Sequence, residues 1–258
     1  MKLHLGRNIY GLGAIAFGLI TLFWHQIYSL DNISHPLILV YFTGVIELIG
    51  GLAIHWQKTV KFGSLILIAV FLIFSLYWIP QIIAAPLAYT YWGNFFEMFS
   101  VVLAGVIVFA SSMQNNLERA AKIERVVYRC FGICAISYSL YQLFYLSDTA
   151  DLVPKWIPFG QMFWAVATTI AFALAAFAII SGRSAFLASR FLTAMLISFC
   201  FLVWFPLSFI DPFEISNWAR NAETLCVAGS VWVISDLLSQ QKINKLKWSF
   251  GKLLMSKE

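Results

Sequence analysis

Glu47 is a carboxylate placed in the middle of a long apolar run, Gly44–Gly51, with the sequence GVIELIGG. At mid-membrane depth such a group costs about 2.5–3.5 kcal/mol, so it must face protein and be either paired or protonated. Two interpretations stay open. In one, Glu47 relays a proton or hydrogen-bonds a bound quinone or other headgroup. In the other, a protonated carboxyl bonds a neighbouring helix and serves packing alone.

Two further carboxylates recur at matching places in the chain. Glu97 follows Asn94, and Glu223 follows Asn221, each close to the start of an apolar segment. Acidic side chains in a first helical turn favour the helix dipole, so capping explains either one alone. Their repeated placement predicts an outward-facing pocket between two halves of the chain. The candidate pocket residues are Glu47, Glu97, Asn221 and Glu223.

Histidine and cysteine spacing does not predict a metal or haem site. No two histidines share a helix face at i, i+4, and none has a Cys or acidic partner at ligand spacing. The cysteines form no C-x-x-C pair, which leaves a redox-active thiol pair or small apolar filling as their role. The residues concerned are His4, His25, His35, His55, Cys130, Cys134, Cys200 and Cys226.

The surrounding sequence has the composition of a membrane protein. It is 61% hydrophobic and 11% charged, with a mean hydropathy of +0.82. A soluble domain could not bury so much apolar surface, so lipid must be the main solvent. The formal net charge of +5 does not indicate nucleic acid, because the basic residues stand at the ends of apolar runs, where they meet lipid headgroups.

Eight apolar segments are long enough to cross a bilayer, which takes about 20 residues each. No cleavage site follows the first one, so we interpret it as a retained membrane helix. The predicted fold class is an all-α membrane protein. The segments are Ile9–Ile27, Pro36–Ile54, Phe62–Ile79, Phe95–Ser111, Val126–Tyr145, Ile157–Ile180, Phe186–Phe205 and Ala219–Leu238.

Basic residues predict the orientation of these helices. With the N-terminus inside, only Lys155 and Arg220 of the 17 Lys and Arg residues lie outside. The positive-inside rule then places both termini in the cytoplasm and the chain in the inner membrane. The polar run Ser111–Arg129 becomes a basic cytoplasmic connector, and the lysine-rich C-terminal tail resembles an amphipathic segment on the inner leaflet.

The two halves of the chain resemble each other. Arg7 and Arg129 open the first helix of each half, and Trp78-Ile-Pro80 matches Trp204-Phe-Pro206. Four-helix units insert in the same orientation, so their pseudo-two-fold axis runs along the membrane normal. The predicted organisation is a four-helix repeat at 1–112, a basic connector at 113–125, a second parallel repeat at 126–240 and a basic tail at 241–258.

These residues resemble the four-helix DoxX-like membrane proteins, here as two units in tandem. The likeness rests on Arg7 before a glycine-spaced helix, on Gly44-x-x-Glu47-x-x-Gly50-Gly51, and on Arg220–Gly229 in the second half. The resemblance implies association with membrane redox systems, including a thiosulfate–quinone oxidoreductase subunit and oxidative-stress complexes. Thr169 stands at the position of Glu47 in the second half, which speaks against a symmetric carboxylate mechanism.

The leading functional hypothesis is therefore an accessory or quinone-interacting subunit of a membrane redox system. Its partners are the lipid bilayer and a membrane or periplasmic redox protein, and whether the chain itself is catalytic stays open. One alternative is a carrier for a small or lipid-like solute with its site at the repeat interface. Another is a non-catalytic scaffold that recruits a partner through the uncharged loop Gln81–Gly93.

Overall fold

The computed structural model describes residues 4–30, 35–113 and 117–255, without the side chains of residues 4, 117 and 242–255. All regular structure in these ranges is helical, as the sequence predicts. A 3-10 turn, Tyr28–Leu30, follows α1, and a π-helical turn, Cys200–Trp204, joins α9 to α10. The helices are α1 His4–Trp24, α2 Leu37–Ala53, α3 Val60–Tyr77, α4 Ile79–Ala84, α5 Tyr89–Ser111, α6 Leu117–Phe144, α7 Leu146–Leu152, α8 Gln161–Ser181, α9 Ala185–Phe199, α10 Phe205–Ile210 and α11 Ile215–Met255.

Six helical spans in the described ranges are long and apolar enough to cross a membrane. A seventh results if α6 and α7, bent by 92° at their junction, count as one span. The remaining predicted segment corresponds to α2, which is apolar but only 17 residues long. The multi-pass, all-α class is therefore confirmed, whereas eight spans and their orientation stay predictions. The six spans are Leu5–Trp24, Val60–Ala84, Tyr89–Ser111, Gln161–Ser181, Ala185–Ile210 and Ile215–Gln241.

Eight longer helices form a closed ring. Each packs against the next in the order α1, α2, α3, α5, α6, α8, α9 and α11, and α11 returns to α1. Helices α5 and α11 also contact each other across the ring, which divides the interior into two compartments. The neighbours of α1, α2, α3 and α5 match those of α6, α8, α9 and α11, whereas the duplication itself stays a prediction.

The helices alternate in direction, so their ends gather into two groups. At the end that holds the N-terminus, Arg7 Nη2 donates to the His55 carbonyl oxygen at 3.1 Å, and the Gly6 N–H donates to Asp236 Oδ2 at 3.1 Å. At the other end, the Trp24 and Trp218 rings lie 6.3 Å apart. The second end is the predicted outer end, and the side of the membrane that it faces stays a prediction.

Three helices that begin at the predicted outer end share a local motif. In each, a proline stands three residues before the helix, and a tryptophan six residues after that proline donates its indole N–H back to the proline carbonyl. This bond fixes the entering loop to the first helical turn. The Pro-x5-Trp spacing was not recognised in the sequence. Pro36 and Phe42 have the same spacing at α2, with a phenylalanine in place of the tryptophan. The bonds are Trp92 to Pro86 at 3.0 Å, Trp164 to Pro158 at 2.8 Å and Trp218 to Pro212 at 3.1 Å.

Glycines bring α1 and α11 into backbone contact. A Cβ atom on Gly229 would lie 2.4 Å from the Tyr10 backbone nitrogen, and one on Gly13 would lie 2.5 Å from Cys226 Sγ. Small residues permit such approach in lipid, where van der Waals packing rather than the hydrophobic effect drives helix association. This contact closes the ring between the first helix of the chain and the last.

Candidate ligand-binding site

A cavity of about 780 Å³ lies in the second compartment, enclosed by α5, α6, α8, α9 and α11 at the predicted outer end. Trp156 and Arg220 line it and are exposed, so they mark its mouth. Met98, Phe172 and Val227 line it on the buried side. Its size is within the usual range for a site that holds a small organic molecule.

Aromatic side chains fill the first compartment, and this distinguishes it from the second. Phe17 of α1 packs edge-on against Phe71 of α3 at 6.0 Å, and Phe71 contacts Phe74 at 5.9 Å. In the second compartment aromatic residues such as Phe172 and Phe199 line the wall of a cavity and leave its interior open. The two halves thus share a ring of helices but differ in what occupies the interior.

Two of the predicted site residues, Glu97 and Glu223, meet in this cavity. They line it from α5 and α11, the two helices that cross the ring. The carboxyl groups interact electrostatically with each other and with Arg220. Among the described residues, neither carboxyl makes a hydrogen bond or a salt bridge, so both remain available to a ligand. Asn94 also lines the cavity, one turn before Glu97.

Arg220 is a site residue that sequence reasoning assigned only to an outer loop. It stands one turn before Glu223, as Asn94 stands before Glu97, and this i, i+3 spacing could have revealed it. Its Nε donates to the Tyr28 hydroxyl at 3.1 Å, and its guanidinium lies 5.5 Å from the Trp204 ring centroid. Burial raises the pKa of Tyr28, and the neighbouring Arg220 charge partly offsets this. Arg220 is therefore held at the mouth by an aromatic pair.

Helix α6 contributes a polar wall to the cavity. Gln142 Oε1 accepts hydrogen bonds from the Thr168 hydroxyl at 3.2 Å and the Thr169 hydroxyl at 3.1 Å, which ties α6 to α8. Tyr138 also lines the cavity, and its buried hydroxyl, although near Ser100, makes no well-formed hydrogen bond within the part of the chain that the structure describes. A buried hydroxyl left unpaired costs free energy, so it is a second polar group that a ligand could satisfy.

Aromatic rings make up much of the remaining wall. Such rings form an apolar surface whose faces carry partial negative charge. Combined with a few convergent polar groups, this is the usual make-up of a small-molecule site. The aromatic residues at the cavity are Tyr28, Trp78, Tyr138, Tyr141, Trp156, Trp164, Phe172, Phe199 and Trp204.

Glu47 lies outside the cavity, between α1 and α2. It is 1% exposed, and its Oε2 accepts a hydrogen bond from the Thr21 hydroxyl at 3.2 Å. In the second half the matching position, Thr169, donates to Gln142 instead. The two halves therefore join their first two helices by a polar bond with donor and acceptor exchanged. A ligand role for Glu47 stays a prediction.

The other predicted residues take separate places. Asn221 is half-buried and does not line the cavity, whereas Trp78 and Trp204 do. Pro80 and Pro206 stand in the first turn of α4 and α10, a position that tolerates the missing N–H. The two arginines that open the halves differ: Arg7 is 6% exposed, and Arg129 is exposed.

Cysteines and histidines do not converge on a shared site in the described parts of the chain. Cys134, Cys200 and Cys226 are buried free thiols, and Cys130 is half-buried. No group of three or more His, Cys, Asp or Glu residues in these ranges could hold a metal ion. Cys226 packs against Gly13 between α11 and α1, and the choice between a redox-active thiol pair and apolar filling stays open.

Comparisons of the chain with protein-family models, with curated proteins and with solved structures find no match. The geometry of the cavity is therefore the main guide to function. The DoxX-like resemblance stays an expectation from the sequence.

Proposed function

We propose that this integral membrane protein binds a small amphipathic molecule in the cavity between α5, α6, α8, α9 and α11. The observation that carries the proposal is the pair of carboxyl groups, Glu97 and Glu223, that face an otherwise aromatic cavity without a hydrogen bond or salt bridge to the described residues. The polar head of the ligand lies at this pair, and its apolar part lies along Phe172, Phe199 and Val227.

A quinone or quinol of a membrane redox system is the first ligand class to test. The two hydroxyls of a quinol would donate to Glu97 and Glu223, whereas a quinone oxygen would accept from the Tyr138 hydroxyl or a protonated carboxyl. In this role the chain is a DoxX-like accessory subunit in the inner membrane. It binds and orients the ligand, while a membrane or periplasmic redox partner exchanges electrons with it.

The carrier for a small or lipid-like solute is the second candidate, favoured by the place of the carboxyl pair. Glu97 and Glu223 lie on α5 and α11, the helices through which the two halves meet. Carriers built from repeats bind their substrate at such an interface and move the halves about it. The scaffold alternative rests instead on Gln81–Gly93, which comprises the end of α4, a short loop and the start of α5; Leu87 in this loop is 98% exposed.

Native mass spectrometry with lipid extraction tests the proposal. The variants are the double substitution Glu97→Gln with Glu223→Gln and, as matched control, Glu124→Gln, which changes a buried carboxyl of α6 that does not line the cavity. We expect wild type and the control to retain the same small molecule and the double variant to lose it. Bulk phospholipid alone in all three samples, together with no binding of added quinone, would contradict the proposal. Uptake into proteoliposomes that depends on Glu97 and Glu223 would favour the carrier.

A further inference from the structure

We propose that the ligand of this cavity is an amphipathic organic cation, bound in exchange for a proton held by the Glu97–Glu223 pair. This rests on the proposed function and names the ligand class of the same site. It commits to a positively charged head, which the site would prefer to a neutral quinone.

The charges at the cavity set this preference. Glu97, Glu223 and Arg220 are the charged residues that line it. Arg220 already contacts Tyr28 and Trp204, and no hydrogen bond or salt bridge within 4.0 Å to either carboxyl is found among the described residues. Both side chains are half-buried, and two neighbouring carboxylates with limited access to water repel each other, so ionisation of both is disfavoured without further compensation. In the empty site one proton compensates the charge of the second carboxylate. In the occupied site one monovalent cation takes the place of that proton.

The walls indicate that the cation is organic. A volume of about 780 Å³ is far larger than a bare metal ion needs, and apolar residues such as Phe172, Leu196 and Val227 line its inner side. Ring faces attract cations, and Trp204 already holds the Arg220 guanidinium at 5.5 Å in this way. Trp78 and Trp164 offer comparable rings to a ligand.

The buried hydroxyl of Tyr138 is an independent sign of a missing partner. It lines the cavity and, although Ser100 lies nearby, makes no well-formed hydrogen bond to the described residues. A hydroxyl can accept from an N–H group or lie against the positive edge of a quaternary ammonium head. The titratable groups near the carboxyl pair are Arg220 and Cys226 on α11, Tyr138 and Tyr141 on α6, and Tyr28 after α1.

Exchange of one cation for one proton has a measurable pH dependence. Where the carboxyl pair holds its proton, raising the pH removes the competitor, so Kd falls by roughly tenfold for each pH unit. At higher pH the pair is already ionised and Kd levels off. Replacing either carboxyl by an amide removes the exchangeable proton and flattens the profile.

Tetraphenylphosphonium and tetraphenylborate are a matched pair of probes, because they have nearly the same size and shape and opposite charge. Equilibrium dialysis with the full chain in nanodiscs, subtracting empty nanodiscs, measures both from about pH 5 to about pH 9. Decylubiquinone serves as the neutral probe. We expect saturable binding of the phosphonium with the pH dependence above. Binding should be retained in Glu124→Gln and lost in the double variant Glu97→Gln with Glu223→Gln.

The outcomes separate the two proposals. If decylubiquinone binds saturably and the phosphonium does not, or if the borate binds as tightly as the phosphonium, the cation inference is wrong and the proposed function stands. Phosphonium binding that is independent of pH overturns the proton exchange. If none of the probes binds saturably, the proposed function fails with the inference. The wild-type comparison of the two ions keeps the test valid even if a variant does not fold.

Discussion

The contact between α1 and α11 is close enough to be tested with a single methyl group. In Gly229→Ala the new Cβ would lie 2.4 Å from the Tyr10 backbone nitrogen and 2.6 Å from Tyr10 Cα, whereas ordinary contact begins at 3.4 Å. Backbone atoms inside a helix cannot rotate away, so α1 and α11 must separate by about 1 Å. Overpacking of this kind costs about 1–3 kcal/mol.

Reversible unfolding in mixed detergent micelles measures this loss. Gly13→Ala is an informative companion, because its Cβ would meet Cys226 Sγ at 2.5 Å and the Cys226 backbone nitrogen at 2.7 Å. Adding Cys226→Ala should therefore rescue Gly13→Ala in part and leave Gly229→Ala unchanged. Leu12→Ala, at a side chain that is 51% exposed, controls for a change on the same helix away from the contact.

A free energy of unfolding for Gly229→Ala within about 0.3 kcal/mol of wild type would refute the close approach of the two helices. Equal rescue of both alanine variants by Cys226→Ala would refute the distinction between side-chain and backbone contact. Circular dichroism of each variant establishes that the helical content is unchanged before unfolding is compared.

Three further perturbations examine other parts of the molecule. Glu47→Leu removes the bond to Thr21 and should lower the free energy of unfolding by about 0.6 and at most about 1.7 kcal/mol, whereas Glu47→Gln should stay close to wild type in the same assay. Burial first, and the Arg7 charge second, lower the pKa of His55. Near pH 6.5 the unfolded chain therefore binds more protons than the folded chain, so the free energy of unfolding should fall as the pH drops below about 6.5. The fall should be smaller in His55→Gln. The unfolding midpoint measured against pH tests this. Thr168→Phe should fill the cavity beside α6 and weaken ligand binding at least tenfold in dialysis, and unweakened binding would place the ligand elsewhere.

Hydropathy predicted the helices well, because a bilayer demands long apolar segments and the sequence supplies them. It did not predict the form of their breaks. The predicted segment Val126–Tyr145 ends where α6 meets α7, because the polar residues Ser147–Asp151 follow, but hydropathy did not predict that the chain continues there as a helix bent by 92°. The π-helical turn at Cys200–Trp204 precedes Pro206. Because proline lacks a backbone N–H, the sequence indicated a break near this residue. The form of the break depends on packing around the cavity.

Helix register was enough to pair two candidate residues but not to describe the shape of a cavity, and the role of these residues in binding stays a prediction. Glu97 and Glu223 could be paired because each stands near the outer start of the last helix of its half. The sequence also predicted the depth of Glu47 in the membrane. Its partner Thr21 lies on another helix, however, and sequence spacing does not reveal which residues face each other across an interface. Arg220 was overlooked because a basic residue near a loop is normally interpreted as a signal of helix orientation in the membrane.

The most informative difference between the halves lies in what their matching positions hold. The first half bonds α1 to α2 through Thr21 and Glu47 and fills its compartment with Phe17 and Phe71. The second half bonds α6 to α8 through neutral groups and leaves its compartment open. The second compartment keeps two carboxyl groups, at the crossing of α5 and α11, that have no hydrogen bond or salt bridge to the described residues, which is why we assign ligand binding to this compartment alone.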